Sequence, residues 1–166
     1  MFGNTRAVAD AIAGGLAPAV EAEVVDVLDA PLTVGRGVDL LVVGGPTQAF
    51  GMSRPGTRQD AAQQARRPPD VARIGVREWL DQADPGDIRT AAAFDTGIGK
   101  RWVPGSAAHG IGKALRGLGA TLVLAPETFK VTGTQGPLAA GEVDRAREWG
   151  RRLAEAVIAG RETSRG

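Results

Sequence analysis

Three short loops carry the residue types that could do chemistry in this chain. The first is Met1-Phe2-Gly3-Asn4-Thr5, whose Gly-Asn-Thr turn opens directly into an alanine-rich helix pattern. A tight turn of small residues lets backbone N–H groups converge on one point, and the unpaired N–H groups of the following helix add to the field. That chemistry is anion binding, and the expected ligand is a phosphate. The same residues also fit a simple cap, with Asn4 or Thr5 as the N-cap. The second loop, residues 45–53, and the third, residues 95–105, each leave an apolar run through glycine or small polar residues, and each holds one aromatic, Phe50 or Trp102. Together they suit a flat ring placed beside the phosphate turn.

The elements that must position these loops follow from periodicity. Val8, Ile12 and Leu16 recur every four residues with Ala9 and Ala13 beside them, which predicts a helix ending near Gly14, Gly15 and Pro18. Residues 23–27 read as a strand. Residues 38–43 form a near-continuous apolar run stopped by Gly44-Gly45-Pro46, the pattern of a parallel strand buried on both faces. The Pro- and Arg-rich residues 53–75 read as a long mobile excursion, and residues 76–82 as a helix packed on the sheet through Trp79 and Leu80. A short strand over 90–94 ends at Asp95-Thr96-Gly97, and a helix follows over 106–118, stopped by Gly119. Residues 121–124 make the next strand, interrupted at Pro126 and resumed over 129–131. The last helix, 140–159, sets Val143, Ala146, Trp149, Leu153 and Val157 on one face, and the polar tail 161–166 is expected to fray.

Alternating strands and helices predict an α/β fold, a doubly wound parallel sheet with helices on both faces, in which ligands bind beyond the carboxyl ends of the strands. The 166 residues are about one domain's worth, read as a single domain over 1–160. Zero cysteines exclude disulfides and thiolate chemistry, and a single histidine, His109, excludes a histidine-cluster zinc site. A net charge of +1 with interspersed signs argues against a nucleic-acid partner, and no apolar run is long enough for a membrane span. A soluble, cytoplasmic protein with no metal site is expected. Gly110-Ile111-Gly112-Lys113 lacks the spacing of a Walker loop, because Ala107 stands where the first glycine belongs and Ala114 follows the lysine. His109 and Asp95 read as a helix-start and a turn residue, and Thr132-Gly133-Thr134-Gln135-Gly136-Pro137 as a loop without recognisable chemistry.

With these loops in this order, the chain resembles the flavodoxin-like superfamily, whose phosphate loop closes in Gly-Asn-Thr. The run Gly44-Gly45-Pro46-Thr47-Gln48-Ala49-Phe50-Gly51-Met52-Ser53 is similar to the second flavin loop, particularly in flavodoxin-type quinone reductases, and Phe94-Asp95-Thr96 stands at the third. The resemblance implies FMN as cofactor. Phe2, Gly3, Asn4 and Thr5 would hold its phosphate, while Pro46, Thr47, Gln48, Phe50 and Gly51, with Asp95, Thr96 and Gly97, would line the isoalloxazine. It implies an FMN-binding electron-transfer protein or small flavin-dependent reductase, with no catalytic side chain, because the flavin carries the chemistry. The donor, the acceptor and the oligomeric state are not implied.

Three departures accompany the resemblance. The chain has no tyrosine, and Gly97-Ile98-Gly99 stands where many flavodoxins place a stacking aromatic, a role left to Trp102 or Phe50. It is near neutral where flavodoxins are acidic, which favours a domain with its own substrate or a fixed partner over a mobile shuttle. The strand that precedes the phosphate loop in the superfamily is absent, so the native product is expected to start upstream, with Met1 an internal methionine. The alternative reading is a degenerate, non-enzymatic flavodoxin-like module that binds a partner or serves as a structural unit.

Overall fold

The centre of the molecule is a strand of small residues. In the computed structural model, β3 (Thr90–Gly97) carries Ala91, Ala92, Ala93 and Phe94 with essentially no exposure. Side chains alternate along a strand, so Ala92 and Phe94 face one helix layer while Ala91 and Ala93 face the other. Alanines here allow both layers to approach closely. The residues described are 3–34, 37–48, 51–52, 75–84, 86, 88–98, 105–133 and 135–163.

Around β3 lies a mixed sheet. β1 (Leu41–Gln48) runs parallel to it with Leu41 opposite Ala91 and Pro46 opposite Thr96. β2 (Gly51–Met52) folds back antiparallel on the tip of β1, Thr47 facing Met52. On the other side, β4 (Thr121–Leu122) and β5 (Glu127–Lys130) pair in turn with the two halves of β3, both parallel. Pro126 falls in the break between them, as a residue without a ladder N–H should. The parallel sheet with helices on both faces is the architecture expected.

Four helices among the described residues cover it. α1 (Asn4–Leu16) and α4 (Glu142–Thr163) pack on one face, where Val8, Ile12, Leu16, Phe129, Trp149 and Leu153 enclose Phe94. Phe94, Phe129 and Trp149 meet edge to face with centroids 6.0 to 6.4 Å apart. α2 (Val76–Gln82) and α3 (Ala107–Gly117) cover the other face through Trp79, Leu80, Ile111 and Leu115. The Trp79 indole N–H donates to the Pro31 carbonyl at 3.1 Å, which ties the segment after α1 to this layer.

Several expected boundaries move, each for a packing reason. Gly14 and Gly15 lie inside α1 rather than ending it. Glycine is used at the seam: a Cβ on Gly15 would lie 2.1 Å from the Arg147 carbonyl oxygen, and one on Gly150 would lie 2.3 Å from that of Ile12. The two helix backbones therefore cross at a distance that only glycine permits. β1 starts at Leu41 and runs through Gly44, Gly45 and Pro46 instead of stopping there. Gly44 makes room for the Phe94 ring, whose Cζ would be 2.0 Å from an added Cβ. Pro46 is tolerated because β1 has a ladder partner there on one side only, among the described residues. Residues 23–27 form no strand. They lie without a ladder partner among the described residues, with Val25 43% exposed.

At the far end, α4 starts at Glu142 and continues to Thr163, where Arg161 pairs with Asp39. Val143 is exposed, unlike the other four residues of its expected stripe, because the apolar contacts of α4 with the core begin at Ala146. Residues 53–74, most of the expected excursion, and the tail residues 164–166 lie outside the described residues. No helix among the described residues is long and apolar enough to cross a membrane.

Candidate functional site

Alternation along β3 continues past its apolar stretch, and this sends two adjacent polar residues to opposite faces. Asp95 points into the α3 layer and Thr96 into the α1 layer, both essentially buried. β3 therefore runs through Asp95-Thr96-Gly97, three residues beyond the end expected from its apolar run. Each residue meets the start of one helix.

At the start of α3 every amide has a partner. Ser106 is the N-cap, and its Oγ accepts from the His109 N–H at 3.4 Å. The Ala107 N–H donates to Thr47 Oγ1 at 2.9 Å, and the Ala108 N–H donates to Asp95 Oδ2 at 2.9 Å. The same carboxylate oxygen accepts from the Thr47 and Ser106 hydroxyls, each at 2.7 Å. A carboxylate held by three donors at the positive end of a helix is the arrangement that makes a buried negative charge tolerable. Asp95 Oδ1 is buried without a partner among the described residues. Asp95 thus fastens β1, β3 and α3 together.

The start of α1 is finished differently. Its N-cap is Gly3, with φ 81°, so there is no capping side chain, and no acidic residue occupies the first turn. Neither Asn4 nor Thr5 caps the helix: they are its first two residues. The Ala7 N–H reaches the Gly3 carbonyl at 2.9 Å, which leaves the N–H groups of Asn4, Thr5 and Arg6 without a partner inside the helix. Thr5 Oγ1 and Thr96 Oγ1 lie 2.8 Å apart and share a hydrogen bond. Two hydroxyls and an open set of amides therefore sit together at the carboxyl end of β3. The Asn4 side chain donates to the Gln135 carbonyl at 3.1 Å.

The remaining residues of the expected ring pocket are placed as follows. The described ones stand at three strand termini, with Pro46, Thr47 and Gln48 ending β1, Gly51 opening β2, and Asp95, Thr96 and Gly97 ending β3, so all seven gather at one edge of the sheet. The Thr47 hydroxyl and the Asp95 carboxylate turn inward, toward each other and α3. Phe2, Phe50 and Trp102 lie outside the described residues. Ile98, directly after β3, is 44% exposed at this edge. Its exposure could not be read from the sequence, where it resembles any core isoleucine. His109 is exposed on the first turn of α3. Among the described residues, no cluster of His, Asp and Glu has the arrangement of a metal site.

One further charged group is buried behind β5. The Glu142 carboxylate accepts from the Lys130 N–H at 2.7 Å and from the Arg145 guanidinium at 2.6 and 3.1 Å. Arg145 also pairs with Glu127 and lies 4.5 Å over the Phe129 ring. Burial alone would push the Glu142 carboxyl up. The hydrogen bonds from Arg145 and Lys130 outweigh it and hold the carboxyl below the usual range, while Glu142 raises the Arg145 pKa in return.

Comparison with known proteins agrees with this architecture. No family model matches the sequence, and no curated protein matches it. Solved structures do. A flavodoxin from the domain Archaea is 21% identical, with a TM-score of 0.60 over 94% of this chain and 92% of that one. Oxidised Flavodoxin 1 from Bacillus cereus is 22% identical, with a TM-score of 0.64 over 93% and 92%. A WrbA-like flavodoxin from Agrobacterium tumefaciens is 16% identical, with a TM-score of 0.54 over 96% and 92%. The chain has the flavodoxin-like fold.

Proposed function

We propose that this protein binds FMN at the carboxyl edge of its sheet and works as an electron-transfer protein or small flavin-dependent reductase. The observation that carries the reading is the open start of α1: three amides without a partner among the described residues, a left-handed Gly3, no acidic residue in the first turn and the Thr5–Thr96 hydroxyl pair. That donor set fits a phosphate dianion. The amides of Asn4, Thr5 and Arg6, with the Thr5 hydroxyl, hold it in this reading, and Phe2 and Gly3 lead the chain into the turn. Pro46, Thr47, Gln48, Phe50 and Gly51, with Asp95, Thr96 and Gly97, would line the ring, and exposed Ile98 would offer it an apolar contact.

The bound flavin would supply the redox chemistry, and the chain would bind it, exclude water and tune it. No side chain is assigned a catalytic role. A cytoplasmic setting belongs to the same proposal and is consistent with a chain free of cysteine. The test is a titration of FMN with the purified protein. Saturable quenching of flavin fluorescence and a shifted absorbance band are expected, and unchanged fluorescence at excess protein would remove the reading. If flavin binds, oxidation of NADPH with a quinone as acceptor separates a reductase from an electron carrier.

A further inference from the structure

The loop that leaves β5 has no part in the reading so far, yet it ends on the phosphate turn. Its base is closed: Val131 bridges Leu138, the Ala139 N–H donates to the Lys130 carbonyl at 2.9 Å, and both the N–H and the hydroxyl of Thr132 donate to the Pro137 carbonyl, at 2.9 and 3.1 Å. The Gly136 N–H closes on the Gly133 carbonyl at 3.0 Å, which tightens the tip. This tip meets Asn4. The Asn4 amide donates to the Gln135 carbonyl, and Gly136 lies so close that a Cβ there would stand 2.4 Å from Asn4 Nδ2, 2.6 Å from Oδ1 and 2.9 Å from Cγ. Gly136 has φ 97°, so both its backbone and its missing side chain suit this contact.

We infer that Gln135 and Gly136 are positioning residues for the phosphate turn: they clamp the side chain of Asn4, the first residue of α1, and thereby fix the aim of the neighbouring free amides. The physical reason is local. With Gly3 as N-cap, no side chain caps this end, the Thr5 hydroxyl ties it only to Thr96, and an uncapped first turn frays. The clamp supplies from across the molecule the order that a capping side chain would give, and it leaves the amides of residues 4–6 open for an anion. This inference rests on the phosphate reading of the α1 turn.

The experiment compares FMN with riboflavin, which lacks the phosphate, on the wild-type protein and on Gly136→Ala, Asn4→Ala and the double variant. The wild type is expected to prefer FMN strongly. Gly136→Ala should reduce that preference by about tenfold, the worth of a hydrogen bond to a charged group, with riboflavin affinity unchanged. Because Gly136 acts through Asn4, the double variant should lose no more than Asn4→Ala alone. If Gly136→Ala fails to fold, Thr132→Val, an exposed site that loosens only the loop base, should give a smaller loss of the same preference. A Gly136→Ala or Thr132→Val protein with an intact FMN preference, or equal losses for FMN and riboflavin, would overturn the clamp and leave the flavin reading standing. A wild type that binds neither flavin would overturn both.

Discussion

The helices α1 and α3 begin at the same edge of the sheet, next to neighbouring residues of one strand, and they are finished in opposite ways. At α3 a serine cap, a threonine hydroxyl and the Asp95 carboxylate take up the amides, so nothing remains for a ligand. At α1 a glycine stands at the cap position and the corresponding polar partner, Thr96, brings a hydroxyl in place of a carboxylate. An acid at that position would occupy the positive end of the helix and repel a phosphate. A helix start can receive an anion only where its first amides are left without partners. The closed end is structural, and the open end is the candidate site.

Breaking the closed end should cost the most stability. Asp95→Ala strands three donors in a buried space, and a loss of about 3 to 5 kcal/mol is expected in urea unfolding, well above that of a surface substitution. Asp95→Asn, which keeps an acceptor oxygen for these donors, should lose less. Next in size is the α1–α4 seam, which carries the open end. Gly150→Ala forces a methyl against the Ile12 carbonyl and should lower stability by about 3 kcal/mol, read by thermal or urea unfolding.

Smaller effects separate the two ends more sharply. Ser106→Ala removes a cap from α3 and should cost about 1 kcal/mol of stability with no change in flavin affinity. Thr5→Val at the open end is expected to do the reverse. Its stability should change by less than about 1 kcal/mol while FMN binding, followed by fluorescence, weakens by about tenfold.

The smallest effect is electrostatic. The Glu142 carboxyl is held below its usual range in the folded protein. Its stabilising contribution is therefore complete above the ordinary glutamate range and is lost as pH falls from that range through the lower folded value. Unfolding measured by circular dichroism along an acid series should show Glu142→Gln to be less stable than the wild type near neutral pH. The difference should shrink as pH drops through that window, and a difference that stayed constant would remove the assignment.

Much of this arrangement was legible in the sequence. The apolar stripes of α1 and α4, the apolar run of β1 and the order of elements led to the doubly wound sheet, and Gly3-Asn4-Thr5 marked the open helix start; of the run 38–43 only Val43 is buried, and Val38 is exposed. The role of Asp95 was not legible, because it depends on the strand continuing beyond Phe94, where the apolar signal stops. Only when β3 runs through Gly97 does alternation send Asp95 to α3 and Thr96 to α1. Gly14 and Gly15 read as a stop signal, since a lone sequence does not show that Gly150 lies opposite them. The segment 23–27 had strand-like residues, but a strand also needs a neighbour, and residue types do not provide one. The clamp on Asn4 joins residues more than 130 positions apart, so no local pattern announces it.

The most direct measurement of the central claim is a titration of the 15N-labelled protein with FMN, following backbone amide shifts. Large shifts are expected at Asn4, Thr5 and Arg6, and small ones at Ala107, Ala108 and His109, whose N–H groups are already occupied. Large shifts at the start of α3 with none at residues 4–6 would contradict that claim.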